Sequence, residues 1–553
     1  MDKRWYSIWD PRIPKTFEPE KALPEYIRNQ ANAIPDKIAL SFYGYDMTYK
    51  ELDEAIDRFA WGLGNLGLEK GERVALFLGN SPQFVISYFG TLRAGGIVVA
   101  LNTMFKHAEL EYELNDAGAK TLVVQDILFP EVRRAGDKIQ LDNVIITSLK
   151  DYRAEKPTLP LPPEMENSKL TFPDTLDFLE FLSGAHKRPL PEISDLKEEI
   201  ALLQYTGGTT GLPKGAIITH HHLAHNVRIE NLWFGHSEDS IHLDVLPDFH
   251  VMGMVVCMSA PLISGGHLVI LTRFSPDTVA KALLRYHVTE FHTTTTMITA
   301  ILEWPDSSQY DFSSLRILWQ GGAPLPEVLF DRLRLTIPNA VFGQGYGLTE
   351  TLTGGAITPL HRPKRGFIGI PPSSIDMKIV DLETGLGELS PNEEGEIVIG
   401  GPTLMKGYWN RAEETRATIR EGWLYTGDIG KMDEEGYLVF LGRKKEMIKC
   451  SGFSVFPTEV EHLLYRHPAI AEAAVIGIPD PYRGESPKAF IVLKEDYKER
   501  ITEEEILAWA KENMSAFKRP RIVEFREQLP KSAAGKILKR NLAEEEKEKV
   551  REK

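Results

Sequence analysis

The residues Thr206-Gly207-Gly208-Thr209-Thr210-Gly211-Leu212-Pro213-Lys214-Gly215 combine many hydrogen-bond donors with little bulk. Glycine lets backbone N–H groups turn toward an anion without a Cβ clash, and Lys214 adds a point charge. Such a loop is suited to gripping a polyphosphate. Its glycine spacing before the lysine differs from G-x-x-x-x-G-K-[ST], so it is not a Walker A loop. It follows residues 200–203, an apolar run that reads as a short buried strand.

Further clusters downstream fit the same chemistry. Leu246-Pro247-Asp248-Phe249-His250 comes first, then Gln320-Gly321-Gly322-Ala323-Pro324 and Gly343-Gln344-Gly345-Tyr346-Gly347-Leu348-Thr349-Glu350. Tyr425-Thr426-Gly427-Asp428 and Gly442-Arg443-Lys444-Lys445 follow, and Pro530-Lys531-Ser532-Ala533-Ala534-Gly535-Lys536-Ile537 closes the series. The Thr349 hydroxyl can bond an α-phosphate, and the Glu350 carboxylate is a hard oxygen ligand suited to Mg²⁺. An ionised Asp428 is acceptor-only and suits a ribose diol.

In this order the motifs resemble the adenylate-forming superfamily of acyl-CoA synthetases, luciferases and peptide-synthetase adenylation domains. The resemblance runs from about residue 25 to 542. Such enzymes move AMP from ATP onto a carboxylate, which replaces a poor leaving group with a good one. The thiol of coenzyme A then attacks the acyl adenylate.

The resemblance implies roles residue by residue. Thr206, Gly207, Gly208, Thr209, Thr210 and Lys214 would hold phosphates. Gly322, Ala323, Gln344, Gly345 and Tyr346 would form the adenine slot, and Asp428 with Arg443 would hold the ribose. Thr349 would bond the α-phosphate and Glu350 the metal. Lys536 would touch the α-phosphate and substrate carboxylate during adenylation only. Lys445 stands at the family's hinge, about which Lys449, Ser451, Gly452 and Phe453 would replace the Lys536 loop on the coenzyme A side. His250 would gate the passage between nucleotide and acyl pocket.

The segments Leu92-Arg93-Ala94-Gly95-Gly96 and Leu114-Asn115-Asp116-Ala117-Gly118 look most like medium- and long-chain fatty acid–CoA ligases. Thermophilic long-chain members carry a gating tryptophan where this chain has Met254. Trp233, Met254, Met258 and Leu352 are the candidate lining of an alkyl pocket. The expected activity is that of an acid–thiol ligase using ATP, Mg²⁺, coenzyme A and a medium- to long-chain acid. A ligase for an aromatic or short-chain acid, an acyl-AMP ligase loading a separate carrier protein, a luciferase and a nucleotide sensor are the rivals.

These residues need a scaffold. With 553 residues, two or more domains are expected. Thr48 and Glu51 form a capping box, and Leu52, Ile56, Phe59, Leu63 and Leu66 recur on one helical face. Strands at 73–78 and 97–101 flank a helix at 83–92, and this alternation implies a mostly parallel, layered α/β sheet. Residues 151–193, rich in proline, read as an extended surface excursion. Beyond Gly442 the pattern changes. Capping boxes at Thr458/Glu461 and Thr502/Glu505, with strands at 473–478, 489–493 and 522–525, predict an α+β unit. The expected organisation is a large layered α/β N-terminal domain over 1–442 and a small mobile α+β domain over 443–553. Residues 544–553 are expected to fray.

Composition narrows the partners. The net charge is −15. Residues 443–553 hold 23 basic against 20 acidic side chains, and the rest of the chain 41 against 59. The overall sign argues against nucleic acid. No signal peptide or membrane-spanning run is expected, since residues 84–101 are broken by Arg93 and glycines. Surface contact with a membrane and a homodimer stay open. Two cysteines, Cys257 and Cys450, build no disulfide framework, which fits a cytoplasmic location. The run His220-His221-His222 reads as structural, because adjacent helical residues point in different directions.

Overall fold

The computed structural model describes residues 3–206, 212–304, 310–323, 325–533 and 535–551. Gly207, Gly208, Thr209 and Thr210 of the proposed phosphate loop lie outside the described residues.

Two sheets dominate the first 360 residues. One has seven strands in the order Leu176–Asp177, Asn143–Thr147, Thr121–Gln125, Arg73–Phe77, Ile97–Ala100, Ile200–Thr206, Lys214–Thr219. The other has eight, running from Ala356–Ile357 through Val341–Tyr346, Ile317–Gln320, Glu290–Thr293, Ile241–Asp244, His267–Ile270 and Ile38–Phe42 to Tyr45–Thr48. Interior pairings are parallel, and antiparallel pairs occur only toward the edges. Strands buried on both faces explain the apolar runs, such as Ile97–Ala100 with every residue buried.

Helices between the strands bury the predicted faces. Thr48 Oγ1 accepts the Glu51 N–H at 3.2 Å, and the Glu51 carboxylate accepts the Thr48 N–H at 2.8 Å. This capping box opens the helix Tyr49–Asn65, whose Leu52, Ile56, Phe59 and Leu63 are fully buried. Helix Pro82–Arg93 crosses it so closely that a Cβ on Gly90 would lie 2.6 Å from the Phe59 ring.

A third, five-stranded antiparallel sheet contains Trp423–Met432 and Leu438–Arg443. Between Arg443 and Ile448 the chain passes to a fourth sheet, built from Ile448–Cys450, Phe453–Val455, Ile470–Asp480, Gly484–Leu493 and Ile522–Phe525. The short turn Lys444–Glu446 makes the connection.

The excursion 151–193 is mostly exposed, as expected, but it also contributes side chains to the core. Met165 and Phe178 are fully buried, and Leu176–Asp177 adds an edge strand beside Asn143–Thr147. Thr458 caps nothing: Phe456 precedes the helix Pro457–Leu464, and proline at the first position presets the helical turn. Glu461 instead accepts the Val475 N–H at 2.8 Å and pairs with Lys539 at 2.7 Å. Residues 544–551 are helical. They continue the helix Lys539–Arg551, anchored by fully buried Leu542 and by Arg526–Glu545 at 2.8 Å. The capping box at Thr502 and Glu505 forms as expected. Among the described residues, no helix is long and apolar enough to cross a membrane.

Candidate active site

The adenine-slot residues stand at the ends of parallel strands. Gly321, Gly322 and Ala323 follow the strand Ile317–Gln320, and Gln344, Gly345 and Tyr346 end the neighbouring strand Val341–Tyr346. Gly322 has a φ of +81° and nothing within 4 Å of a Cβ built there, so bare backbone faces open space. Gly345 has the opposite constraint: a Cβ would lie 2.6 Å from the Trp319 indole. Tyr346 is 8% exposed and donates its hydroxyl proton to Asp428 Oδ2 at 2.9 Å.

Asp428 is placed by its own turn. Gly427, with φ +70°, lets Thr426 Oγ1 accept the Asp428 N–H at 3.0 Å. Arg443 is its cross-strand partner, with Nε 3.3 Å from Oδ1. That approach is poorly aligned, so the buried Oδ1 has no hydrogen-bond partner among the described residues. Burial raises the Asp428 pKa, opposed by Arg443, Tyr346 and Lys536. A buried acceptor beside a half-buried guanidinium is what a diol needs.

Lys536 comes to this cluster from the far end of the chain. Its loop is a tight turn: Ser532 N–H donates to the Lys536 carbonyl at 2.8 Å, and Gly535 N–H to the Ser532 carbonyl at 2.8 Å. The Gly535 carbonyl accepts from Thr296 Oγ1 at 2.6 Å, and Ala533 packs against the main N-terminal core. Lys536 keeps an exposed surface, yet desolvation by the protein packed around it, with Arg443 adding repulsion, lowers its pKa to about 8. Asp428 and Glu446 pull the other way. Lys536 in turn acts on His250, which burial has already lowered to about 4. Near neutral pH that imidazole is uncharged. Its Nδ1 accepts the Met252 N–H at 3.3 Å.

Thr349 and Glu350 lie in one short helical turn, Thr349–Thr351. Leu352 and Thr353, with φ of +51° and +72°, follow in the left-handed region. Such strain costs on the order of 1–3 kcal/mol per residue and collects at functional sites. Tyr408, which sequence reasoning missed, donates its hydroxyl to Glu350 Oε1 at 2.8 Å. Lys214 Nζ stands 5.1 Å from the Tyr408 ring centre. The phosphate-loop lysine and the candidate metal carboxylate therefore flank one aromatic ring. Thr206 pairs with Lys214 across the base of the loop.

The acyl-pocket candidates divide. Met254 and Met258 are fully buried on a π-helix, Met252–Ser259, and share one core with Leu352. That helix folds back on the motif before it, and a Cβ on Gly253 would fall 2.2 Å from the Pro247 carbonyl oxygen. Trp233 belongs to another cluster. It packs edge-on to Trp9 at 5.3 Å and donates to the Thr358 carbonyl at 2.9 Å. Glu230, on the same helix as Trp233, is also missed by sequence reasoning. It accepts from Thr353 Oγ1 at 3.5 Å, and burial pushes it up to about 8.

The coenzyme A candidates stay within their own domain. Ser451, with φ +52°, donates its N–H to the Arg483 carbonyl at 2.9 Å. Lys449 Nζ donates to Ser454 Oγ at 3.0 Å. Gly452 has φ +84° and open space at its Cβ, and Phe453 stacks on Phe517 at 4.4 Å. Lys445 lies in the connecting turn. The histidines of the 220–222 run do not converge: His221 meets Glu18 at 2.8 Å, His222 Nδ1 accepts the Thr219 N–H, and His220 is buried.

Comparison with known proteins agrees with this geometry. Residues 27–409 match the AMP-binding enzyme family model, and residues 459–536 match the AMP-binding enzyme C-terminal domain. A long-chain-fatty-acid–CoA ligase of Bacillus subtilis is 38% identical over 99% of this chain and 98% of its own. One from Escherichia coli O157:H7 is 35% identical over 100% and 99%. The crystal structure of the anthranilate CoA ligase AuaEII with anthranoyl-AMP has a TM-score of 0.84 at 27% identity, covering 96% of this chain and 98% of that one. With the first match spanning most of the chain, and full-length relatives above 30% identity, the chain belongs to the AMP-binding enzyme family.

Proposed function

We infer that this protein is an ATP-dependent fatty acid–CoA ligase acting on medium- to long-chain acids. It forms an acyl adenylate and pyrophosphate, then acyl-CoA and AMP. One observation carries the chemistry: the Lys536 loop is clasped by Thr296 within reach of Asp428, Arg443 and His250. An ammonium there meets charge as it develops on the α-phosphate, where preorganised cations contribute most. The long-chain substrate rests on full-length relatives at 34–38% identity and on the apolar π-helix after His250.

The geometry supports a role for each residue. Asp428 Oδ1 and Arg443 hold the ribose, Tyr346 and the Gly322 backbone bracket the adenine, and Thr206 and Lys214 receive phosphates. Thr349 orients the α-phosphate. Glu350, with one oxygen held by Tyr408, suits Mg²⁺, which commonly takes one or two carboxylates beside substrate phosphates. When bound, Mg²⁺ neutralises phosphate charge. Lys445 is the hinge between 1–442 and 443–553, and its rotation brings Lys449, Ser451, Gly452 and Phe453 to the thiol. Cytoplasmic placement completes the reading.

A second reading is a ligase for an aromatic acid. Glu230 favours it, because a carboxyl raised to about 8 is neutral near pH 7 and can donate to a polar substituent. Pyrophosphate release across a panel of acids, with and without coenzyme A, tests both. Preference for decanoate to palmitate supports the first reading. Preference for hydroxylated aromatic acids supports the second, and no acid-dependent release overturns both.

A further inference from the structure

Behind the adenine strand lies a polar cluster that the reaction above does not use. His236, His242, Glu290 and His292 offer ligand atoms that all lie within 4.8 Å of one another. The fold explains their meeting. Strands Ile241–Asp244 and Glu290–Thr293 are parallel neighbours, with His242 in register with Glu290. His292 follows Glu290 by two residues, which puts both on one face of the strand. His236 arrives from the helix His220–Phe234, ended by Gly235 in the left-handed conformation.

Several observations separate this cluster from ordinary buried polarity. The side chains of His236, His242 and Glu290 are 0%, 1% and 2% exposed, and His292 is 1% exposed. Among the described residues, His236 Nε2, Glu290 Oε2 and both ring nitrogens of His242 and His292 have no aligned hydrogen-bond partner. Buried polar atoms in folded proteins are mostly satisfied, and among the described residues this is the one group of orphaned atoms that also brings three or more metal-ligating side chains together. His236 Nε2 and His242 Nε2 lie 2.9 Å and 3.5 Å from Glu290 Oε2, without hydrogen-bond alignment. On its other side, His236 Nδ1 is 2.9 Å from Asn231 Oδ1. An N–H donated there leaves the Nε2 lone pair for the cluster, the arrangement that orients metal-bound histidines.

We propose that His236, His242, Glu290 and His292 form a structural site for a divalent transition metal, Zn²⁺ by preference. Three imidazoles and one carboxylate match its ligand types, whereas Mg²⁺ and Ca²⁺ take oxygen sets. Tetrahedral bonds of roughly 2.0–2.1 Å imply ligand-to-ligand edges of about 3.3 Å. The two measured approaches to Glu290 bracket that edge. Four buried protein ligands close the shell, so the site is structural. Its place gives it a purpose. Phe234 contacts the rings of His236, His292 and Trp319, at 5.5, 5.5 and 4.9 Å. Trp319 in turn packs under Gly343 and Gly345 of the adenine strand. A metal would pin one helix end and two strands beneath the nucleotide slot.

The test uses the full chain, stripped with a chelator and titrated with Co²⁺, then with Zn²⁺. The expected result is about one metal ion per chain, the intense visible bands of tetrahedral Co²⁺, and their loss on adding Zn²⁺. Melting temperature rises with Zn²⁺. Glu290→Gln and His292→Ala each weaken retention about tenfold or more, while exposed His186→Ala leaves it unchanged. No stoichiometric binding, weak octahedral bands, or equal retention by folded Glu290→Gln overturns the proposal and leaves a metal-free polar core. If the variants fail to fold, the wild-type cobalt spectrum decides alone.

Discussion

Asp428 is 2% exposed and takes the Tyr346 hydroxyl, with Lys536 brought alongside by a loop bonded to Thr296. Phe453, in the hairpin proposed to receive the thiol, is 54% exposed and touches Phe517 of its own domain. Both regions depend on the C-terminal domain, yet only one engages the N-terminal domain here. On the proposed roles, an arrangement with Lys536 drawn to Asp428 and the hairpin outside would serve adenylation. Thioester formation would then require a second arrangement, with the hairpin in place of the Lys536 loop.

The largest effect that would break this comparison is at Lys536. Lys536→Ala lowers acid-dependent pyrophosphate release by about 10²–10³, while thioester formation from supplied acyl adenylate keeps its rate. Equal loss of both steps would remove the distinction. The same lysine sets a pH dependence. Its pKa is lowered to about 8, so the ammonium form persists below that value and is lost above it. For the free enzyme, kcat/KM for adenylation therefore falls as pH rises through about 8. Lys536→Arg, whose guanidinium does not titrate there, lacks that alkaline limb.

Asp428→Ala comes next. It leaves the Tyr346 hydroxyl without its acceptor and removes the proposed ribose contact. A lost partner of this kind costs about 1–3 kcal/mol. The KM for ATP rises roughly tenfold to a hundredfold, with the thiol step from supplied adenylate much less affected. Lys445→Pro sharpens the comparison from the other side. Proline fixes φ, so pyrophosphate release is spared while thioester formation slows about tenfold, near 1.4 kcal/mol.

Legibility in the sequence followed the range of the interactions. The helix Tyr49–Asn65 was readable because its cap and its apolar face are local. Nucleotide-side residues could be proposed because glycine spacing and acceptor chemistry lie within short motifs. Lys536 was not readable from periodicity, since its partners lie about a hundred to three hundred residues away and only motif resemblance singles it out. Tyr408 and Thr296 left no local trace, because each acts on one atom of a distant segment. The Thr458 box misled because a correct four-residue pattern met a proline that already started the helix, and Glu461 was needed by Val475. His242 and the Glu290-x-His292 pair hold a legible alternation, but strand order alone brings them together with His236.

The smallest effect tests the clasp itself. Thr296 Oγ1 donates to the Gly535 carbonyl at 2.6 Å, the backbone next to Lys536. Removing one such bond costs about 1 kcal/mol, a factor near five in the balance between arrangements. Thr296→Ala therefore lowers pyrophosphate release about fivefold at most. Thioester formation from supplied adenylate is unchanged or faster, because the loop must leave before the hairpin can enter. Gly535→Ala acts in the same direction. Gly535 has φ +74°, and a Cβ there would lie 3.3 Å from Thr294 Oγ1 and 3.4 Å from Thr296 Oγ1. If both variants slow the two steps equally, the loop is a fixed part of the site and the contrast between the two regions is one of exposure alone.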